Sequence, residues 1–273
     1  MRPSRMLRKL REGKIALSAK LNLADPRVVE IASLAGFDAL WTCMEHVPNT
    51  LTVVENQIRA AKIHDVDVIV RVPRGSYSDL IRPLEMDAAG VMVPHVRDEE
   101  DARRIVQQAR FHPIGLRPLD GAGADGDYGL TPLAEYMRQA NEERLVIVQI
   151  ENVTAVEQVE RIAAVKGIDM LFFGPADYSQ CLGVPGSFGD KRIDEARRRV
   201  AEAADRHGLF SGTPASPADL PRLIDMGYRY FNVAADVLGL GNYFKARLVS
   251  ALEHVAEIPV PGSCATIGMV QQT

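Results

Sequence analysis

Cysteine is scarce in this chain. There are three in 273 residues, Cys43, Cys181 and Cys264, with no CxxC pair and no Cys/His spacing of a zinc site. A disulfide framework and a structural zinc cluster are excluded, and a reduced, cytoplasmic protein is expected. No apolar run approaches the roughly 18–20 residues needed to cross a bilayer. The basic stretch Arg2 to Lys14 has no apolar core, so it does not read as a secretory signal; it reads as a short helix under the first strand. Neither sign of charge dominates, with 32 Lys and Arg against 36 Asp and Glu and a net charge of −4. A nucleic-acid or membrane partner is therefore not expected. No G-x-S-x-G elbow is present, and no Gly-rich dinucleotide fingerprint follows the first predicted strand.

What is present is alternation. Hydrophobic residues make up 47% and charged residues 25%, an ordinary globular composition at a length that one barrel fills. Short β-branched runs at 14–22, 39–43, 67–72, 90–96, 145–150, 170–173, 209–212 and 230–234 are separated by segments with helical spacing. The last helix is predicted over 241–256. Strands alternating with helices make a parallel sheet, and about eight such units predict closure into a (β/α)8 barrel. The whole chain, 1–273, reads as one barrel domain, with a basic segment at 1–13 and a tail at 259–273. Residues 112–127, rich in Gly, Pro and Asp, are an insertion between the fourth and fifth units.

The segment Leu145–Asp177 organises the rest. Its two apolar runs end at Glu151 and, after Gly174-Pro175-Ala176, at Asp177. Strand ends are where a barrel opens its ligand site. Two carboxylates one strand–helix–strand unit apart would face the same space and suit a hard divalent cation. They could equally cap the helices that follow. The other predicted strand ends carry Glu45 and His46, Arg71, His95 and Gln149. Each has a plain structural alternative: His46 as a hydrogen-bonded structural histidine, Arg71 as a partner of Glu45 or Glu85, His95 as a packed loop residue. Together they spell a cation for an anionic substrate beside a base that titrates near neutrality. Lysine is the missing residue type. Only the first predicted strand carries lysine, Lys14 at its start and Lys20 toward its end, so covalent imine chemistry is not expected, and a metal is left as the electron sink.

At the level of motifs the chain resembles the class II, metal-dependent pyruvate aldolases typified by 4-hydroxy-2-oxoheptanedioate aldolase and 2-dehydro-3-deoxyglucarate aldolase. The resemblance rests on GFDALWTCMEHVPNT (36–50), VRVP (70–73), GVMVPHV (90–96), VQIEN (148–152) and GPADYSQCLG (174–183), in family order and spanning roughly 14–255. It implies that Glu151 and Asp177 bind Mg2+, Mn2+ or Co2+, and that Arg71 holds the pyruvyl oxygens with support from Gln149. The amides around Gly174, Pro175, Ala176 and Asp177 would meet the substrate carboxylate, and His46 would move the proton. Glu85 falls where the family has an acid that reaches a neighbouring subunit. The implied reaction is cleavage of a 4-hydroxy-2-oxo acid to pyruvate, or a pyruvate analogue, and an aldehyde through a metal-stabilised enolate. The implied assembly is a hexamer, a trimer of dimers that exchange their last helix.

Three departures from the family pattern stand out. Cys43 occupies the position where relatives carry an Asp that forms a dyad with the histidine, and a thiol cannot anchor an imidazolium as a carboxylate does. Arg117-Pro118 replaces the more usual Arg-Gly, and Lys20-Leu21 stands where relatives have small residues. Two alternatives remain on these grounds: a CoA-thioester lyase of the citrate lyase β or malyl-CoA lyase type, and a catalytically impaired barrel that binds a 2-oxo acid.

Overall fold

The computed structural model describes residues 1–256. Eight strands follow one another around a closed parallel barrel: β1 (Ala16–Leu21), β2 (Ala39–Cys43), β3 (Asp67–Arg71), β4 (Gly90–Val93), β5 (Leu145–Ile150), β6 (Met170–Phe173), β7 (Phe210–Pro214) and β8 (Tyr230–Ala235). The helices before β5 are α1 (Arg5–Arg11), α2 (Pro26–Leu34), α3 (Leu51–Ile63), α4 (Tyr77–Glu85), α5 (Glu99–Ala109) and α6 (Leu133–Glu143). Those after it are α7 (Val153–Glu157), α8 (Val159–Ala163), α9 (Pro175–Cys181), α10 (Lys191–Arg206), α11 (Leu220–Asp225) and α12 (Asp236–Ala256). The expected fold class is the observed one. The chain divides into two compact units, the barrel Met1–Asp236 and a second that begins at Val237.

Both faces of the strands are covered, which is why they read as unbroken apolar runs. Every residue of β2, β3, β4, β5 and β6 is buried. Alternate residues supply two cores. Trp41, Ile69, Met92, Ile147, Phe172 and Tyr230 fill the interior, while Leu40, Val68, Val91, Val146, Val148 and Leu171 meet the helices. Met6, Leu7 and Leu10 of α1 join the interior core, closing the amino-terminal end. Asp67, at the start of β3, fixes that plug by accepting from Ser4 Oγ at 2.6 Å and Arg2 Nη2 at 2.7 Å.

Helix starts follow short-range chemistry. Asp25 caps α2 with Pro26 in its first turn, Thr50 caps α3, and Ser76 with Asp79 forms a reciprocal box on α4. Some boundaries differ from the sequence reading. The helical segment after β5 is two short helices that break at Gln158, whose φ/ψ of −100°/10° leave the helical region. The GPAD segment opens a helix, α9. The last helix begins at Asp236 rather than 241, running through Gly239 and Gly241, whose poor helix propensity is overridden here. The tail 259–273 and Cys264 lie outside the described residues. The insertion after α5 is ordered around a buried cluster in which Asp125 accepts from Arg117 Nη2 at 3.0 Å and from the Tyr136 hydroxyl at 2.7 Å.

Candidate active site

Side chains alternate along a strand, so the residues sharing a face with Trp41 and Ile147 continue to the carboxyl-end mouth. Those residues are Lys20 on β1, Cys43 on β2, Arg71 on β3 and Gln149 on β5, with Glu151 just beyond β5. Beneath them the ring of Trp41 forms a floor, with Arg71 Cζ 4.8 Å and Lys20 Nζ 5.5 Å from its centroid.

Glu151 is 1% exposed and both of its carboxylate oxygens are engaged. Oε1 accepts from the His95 amide at 2.7 Å, and Oε2 accepts from Gln149 Nε2 at 3.1 Å. The Oε1 contact depends on an unusual backbone, since His95 sits at φ +50°, a left-handed conformation that aims its N–H into the mouth. Gly174 leaves the space Glu151 needs, because a Cβ there would lie 2.5 Å from Glu151 Oε2. Asp177 stands in the first turn of α9, and Gly174, not Asp177, is the cap residue. Asn152 caps α7. Helix capping therefore does not account for either carboxylate.

A second set of charges faces this pair. Arg71 Nε lies 3.0 Å from Glu45 Oε2, and its Nε and Nη2 donate to Cys43 Sγ at 3.3 and 3.1 Å. Of the two partners considered for Arg71, Glu45 is the observed one. Glu45 also meets His46 Nε2 at 3.5 Å and His95 Nε2 at 3.4 Å, while His95 Nδ1 is 3.3 Å from Glu151 Oε1. The imidazole of His95 thus bridges Glu45 and Glu151. The ring of His46 is 56% exposed and turned to Glu45; only its backbone N–H reaches Cys43 Sγ, at 3.4 Å. Glu85, at the end of α4, points away from this mouth toward the insertion, where it feels the charges of Arg117, Asp125 and Asp120.

The electrostatics call for a cation. Burial pushes the carboxyl of Glu151 up from its ordinary range; the His95 amide and ring pull it back, and the charges of Asp177 and Glu45 push the same way as burial. Buried atoms without a hydrogen-bond partner cluster here as well: Trp41 Nε1, Gln149 Oε1 and Glu45 Oε2, whose 3.0 Å contact with Arg71 Nε is an ion pair without hydrogen-bond geometry. Among the described residues no group of three or more His, Cys, Asp or Glu side chains closes a protein-only metal cage. Two neighbouring carboxylates in a polar mouth fit an ion of the Mg2+ type, whose shell is completed by water and substrate oxygens. Lys20, half-buried, is held below the usual lysine range by burial and by the nearby Arg71. A separate hollow of about 200 Å3 between α4 and α5 is lined by two cations, Arg74 and Arg104, both already paired to Asp101, at 2.6 and 3.8 Å.

The structure brings Arg71, Gln149, Glu151, Gly174 and Asp177 to one mouth and His46 to its rim. His95 and Glu45, expected at strand ends with structural roles as the alternative, both lie at the centre, and Glu45 is the carboxylate that meets the His46 ring. No helix among the described residues is long and apolar enough to cross a membrane.

Comparison with known proteins agrees with this geometry. The family model for HpcH/HpaI aldolase/citrate lyase matches residues 21–240. The chain is 31% identical over 236 residues to 5-keto-4-deoxy-D-glucarate aldolase of Klebsiella pneumoniae, covering 86% of this chain and 91% of that one. It is 31% identical over 237 residues to hydroxypyruvate/pyruvate aldolase of Pseudomonas aeruginosa, covering 85% and 87%. The crystal structure of an HpcH/HpaI aldolase from Desulfitobacterium hafniense superposes with a TM-score of 0.84 at 31% identity, covering 93% of this chain and 97% of that one.

Proposed function

The chain belongs to the HpcH/HpaI aldolase/citrate lyase family, and from that premise we propose that it is a divalent-metal-dependent aldolase, a carbon–carbon lyase. It cleaves a 4-hydroxy-2-oxo acid to pyruvate, or a pyruvate analogue, and an aldehyde. The observation that carries this reading is the buried Glu151 just beyond β5 beside Asp177 in the first turn of α9 after β6, with the Arg71 guanidinium at the same mouth. The names of the aldolase relatives favour it over a CoA-thioester lyase.

Glu151 and Asp177 would hold the ion, with Mg2+, Mn2+ and Co2+ as the candidates. When bound it supplies Lewis-acid polarisation of the 2-oxo group. The protein's own groups do the rest. Arg71, fixed by Glu45 and stacked on Trp41, presents its guanidinium to the oxygen on which negative charge develops during C–C cleavage. Gln149 and the His95 amide hold the Glu151 carboxylate in one orientation. The N–H groups of Ala176 and Asp177, at the start of α9, would face the substrate carboxylate, since the Gly174 N–H is bonded to the Ile150 carbonyl at 3.1 Å and Pro175 has none. His46 and His95, both in reach of Glu45, are the groups able to carry the proton of the 4-hydroxyl.

A cytoplasmic homo-oligomer, a hexamer built from dimers, completes the proposal. Leu238, Tyr243, Phe244, Leu248 and Leu252 of α12 are exposed apolar residues, which supports exchange of that helix between subunits. Glu85 is the residue proposed to serve a neighbouring subunit. The test is pyruvate release from a panel of 4-hydroxy-2-oxo acids with and without Mg2+, Mn2+ and Co2+. Activity that EDTA abolishes and added metal restores is expected; activity undiminished by metal stripping would overturn the reading.

A further inference from the structure

The amides of Ala176 and Asp177 stand in the first turn of α9, where a helix offers them no acceptor of its own, and among the described residues nothing else receives them. Behind them lies a side chain that the mechanism above does not use. Ser179 is fully buried, and its hydroxyl donates to the Ala176 carbonyl at 2.7 Å. That carbonyl and the Asp177 N–H belong to one rigid peptide group. One end of this dipole meets Ser179, and the other is turned to the start of the helix.

A serine bonded to a carbonyl three residues back is common in helices. Two features set this one apart. Its oxygen also accepts from the Gly186 N–H at 3.0 Å, which leaves the hydroxyl proton directed at Ala176. Nor does α9 depend on Ser179 for its seat. The Tyr178 ring is buried 5.4 Å from that of Phe173 on β6, and the Tyr178 N–H returns to the Gly174 carbonyl at 3.2 Å. The Gly186 donor comes from the surface loop 183–190, which turns at Gly183 (φ +73°) and Gly186 (φ +78°), a conformation that favours glycine. The same loop is tied back a second time, by the Val184 N–H on the Ser179 carbonyl at 2.9 Å. A continuous chain results: Gly186 N–H, Ser179 O–H, then the Ala176–Asp177 peptide. Hydrogen bonds aligned in this way polarise one another, so each strengthens the next donor.

We propose that Ser179 is a positioning residue for the substrate carboxylate: its hydroxyl fixes and polarises the Ala176–Asp177 peptide, making the Asp177 N–H a stronger donor, and couples that donor to loop 183–190. The inference rests on the aldolase reading for one point, that the carboxylate of the 2-oxo acid meets the start of α9. That carboxylate is charged both before and after C–C cleavage. The contribution of Ser179 therefore belongs to binding and not to the chemical step.

The test measures oxalate, a carboxylate-bearing analogue of the pyruvate enolate, binding to the Mn2+-loaded protein by calorimetry. Mn2+ affinity is taken separately, from the paramagnetic resonance of the free ion. Ser179→Ala should weaken oxalate binding about 5- to 10-fold, the worth of one buried hydrogen bond, and raise KM for the 2-oxo acid by the same factor with kcat nearly unchanged. Mn2+ affinity should stay at the unaltered value. Ser179→Thr, which keeps the hydroxyl, should restore oxalate binding. A parallel loss of Mn2+ affinity would show that Ser179 only props the helix bearing Asp177, and an unchanged oxalate affinity would show that its hydroxyl does not act on the carboxylate; either overturns the proposal. A threonine variant that binds Mn2+ normally but oxalate no better than the alanine variant would overturn it too. The aldolase reading fails by a different result. If the unaltered enzyme binds oxalate but releases no pyruvate from any 4-hydroxy-2-oxo acid, that reading falls, while the Ser179→Ala ratio for oxalate still decides the role of Ser179.

Discussion

Arg71→Met separates the charge of this residue from its bulk. Methionine keeps an apolar chain of similar length over Trp41, where the guanidinium now stacks at 4.8 Å, but removes every donor. If Arg71 stabilises the developing oxyanion, the loss should resemble deletion of one preorganised donor, about 2.7–4 kcal/mol or a 10²–10³-fold fall in kcat. KM for the 2-oxo acid should change less, because the interaction strengthens only as charge develops. A second consequence falls on Glu45. Its side chain is 13% exposed and loses its 3.0 Å cation, leaving only the two histidines at 3.4–3.5 Å. Stranding a buried charged group costs about 1–3 kcal/mol, which in a domain of this size lowers Tm by roughly 2–10 °C. The double variant Glu45→Gln/Arg71→Met should recover the Tm but not the rate. The assay pairs steady-state pyruvate release with thermal denaturation on all three variants. A fall in kcat of less than about tenfold, or a rate rescued along with the Tm by Glu45→Gln, would refute the electrostatic role and leave Arg71 as a scaffold for Glu45.

Four other outcomes are expected. Gly174→Ala places a methyl 2.5 Å from Glu151 Oε2, so it should weaken metal binding and activity together while circular dichroism stays native. Saturating metal should raise the Tm of the unaltered protein, by about 2.7 kcal/mol of stability at a hundredfold excess over Kd; Glu151→Ala should abolish both that shift and the activity. Cys43→Asp should leave pyruvate methyl exchange nearly unchanged, because Cys43 Sγ is already taken by Arg71 and the His46 ring is turned to Glu45; a rise approaching the roughly hundredfold worth of a positioned acid–base group would instead assign the proton to a Cys43-limited His46. Asp190 caps α10, and the hydrogen bonds it accepts from the Arg192 side chain and backbone depress its carboxyl to about 2. Its folded value lies below its unfolded one, so its stabilisation is present above the ordinary carboxylate range and disappears as pH falls from about 4 to 2. Asp190→Ala should lower Tm at neutral pH, with the gap closing over that interval.

The barrel was legible because its signal is local and repeated. A parallel strand covered on both faces has to be written as a short apolar run, and eight such runs leave almost no other topology. Arg71, Glu151 and Asp177 were legible for a related reason: each closes one of those runs, and strand ends in a barrel converge on one mouth. What stayed hidden depends on the path of the backbone between elements. His95 follows β4 after a proline, and nothing in Val93-Pro94-His95 announces a φ of +50°. That single torsion sends the amide to Glu151 and the imidazole between two carboxylates, Glu45 and Glu151, that are 106 positions apart in the sequence. Cys43 shows the complementary limit. Composition marks it as a poor substitute for a carboxylate, but its actual partner is Arg71, 28 positions further along, and not the His46 side chain next to it in the motif. Spacing to a neighbour in sequence says what the thiol does not hold, and the register Cys43↔Arg71 between β2 and β3 supplies the partner it does meet. The same register logic puts Lys20 beside Trp41, and so places a residue that read only as a departure from the family pattern at the mouth of the barrel.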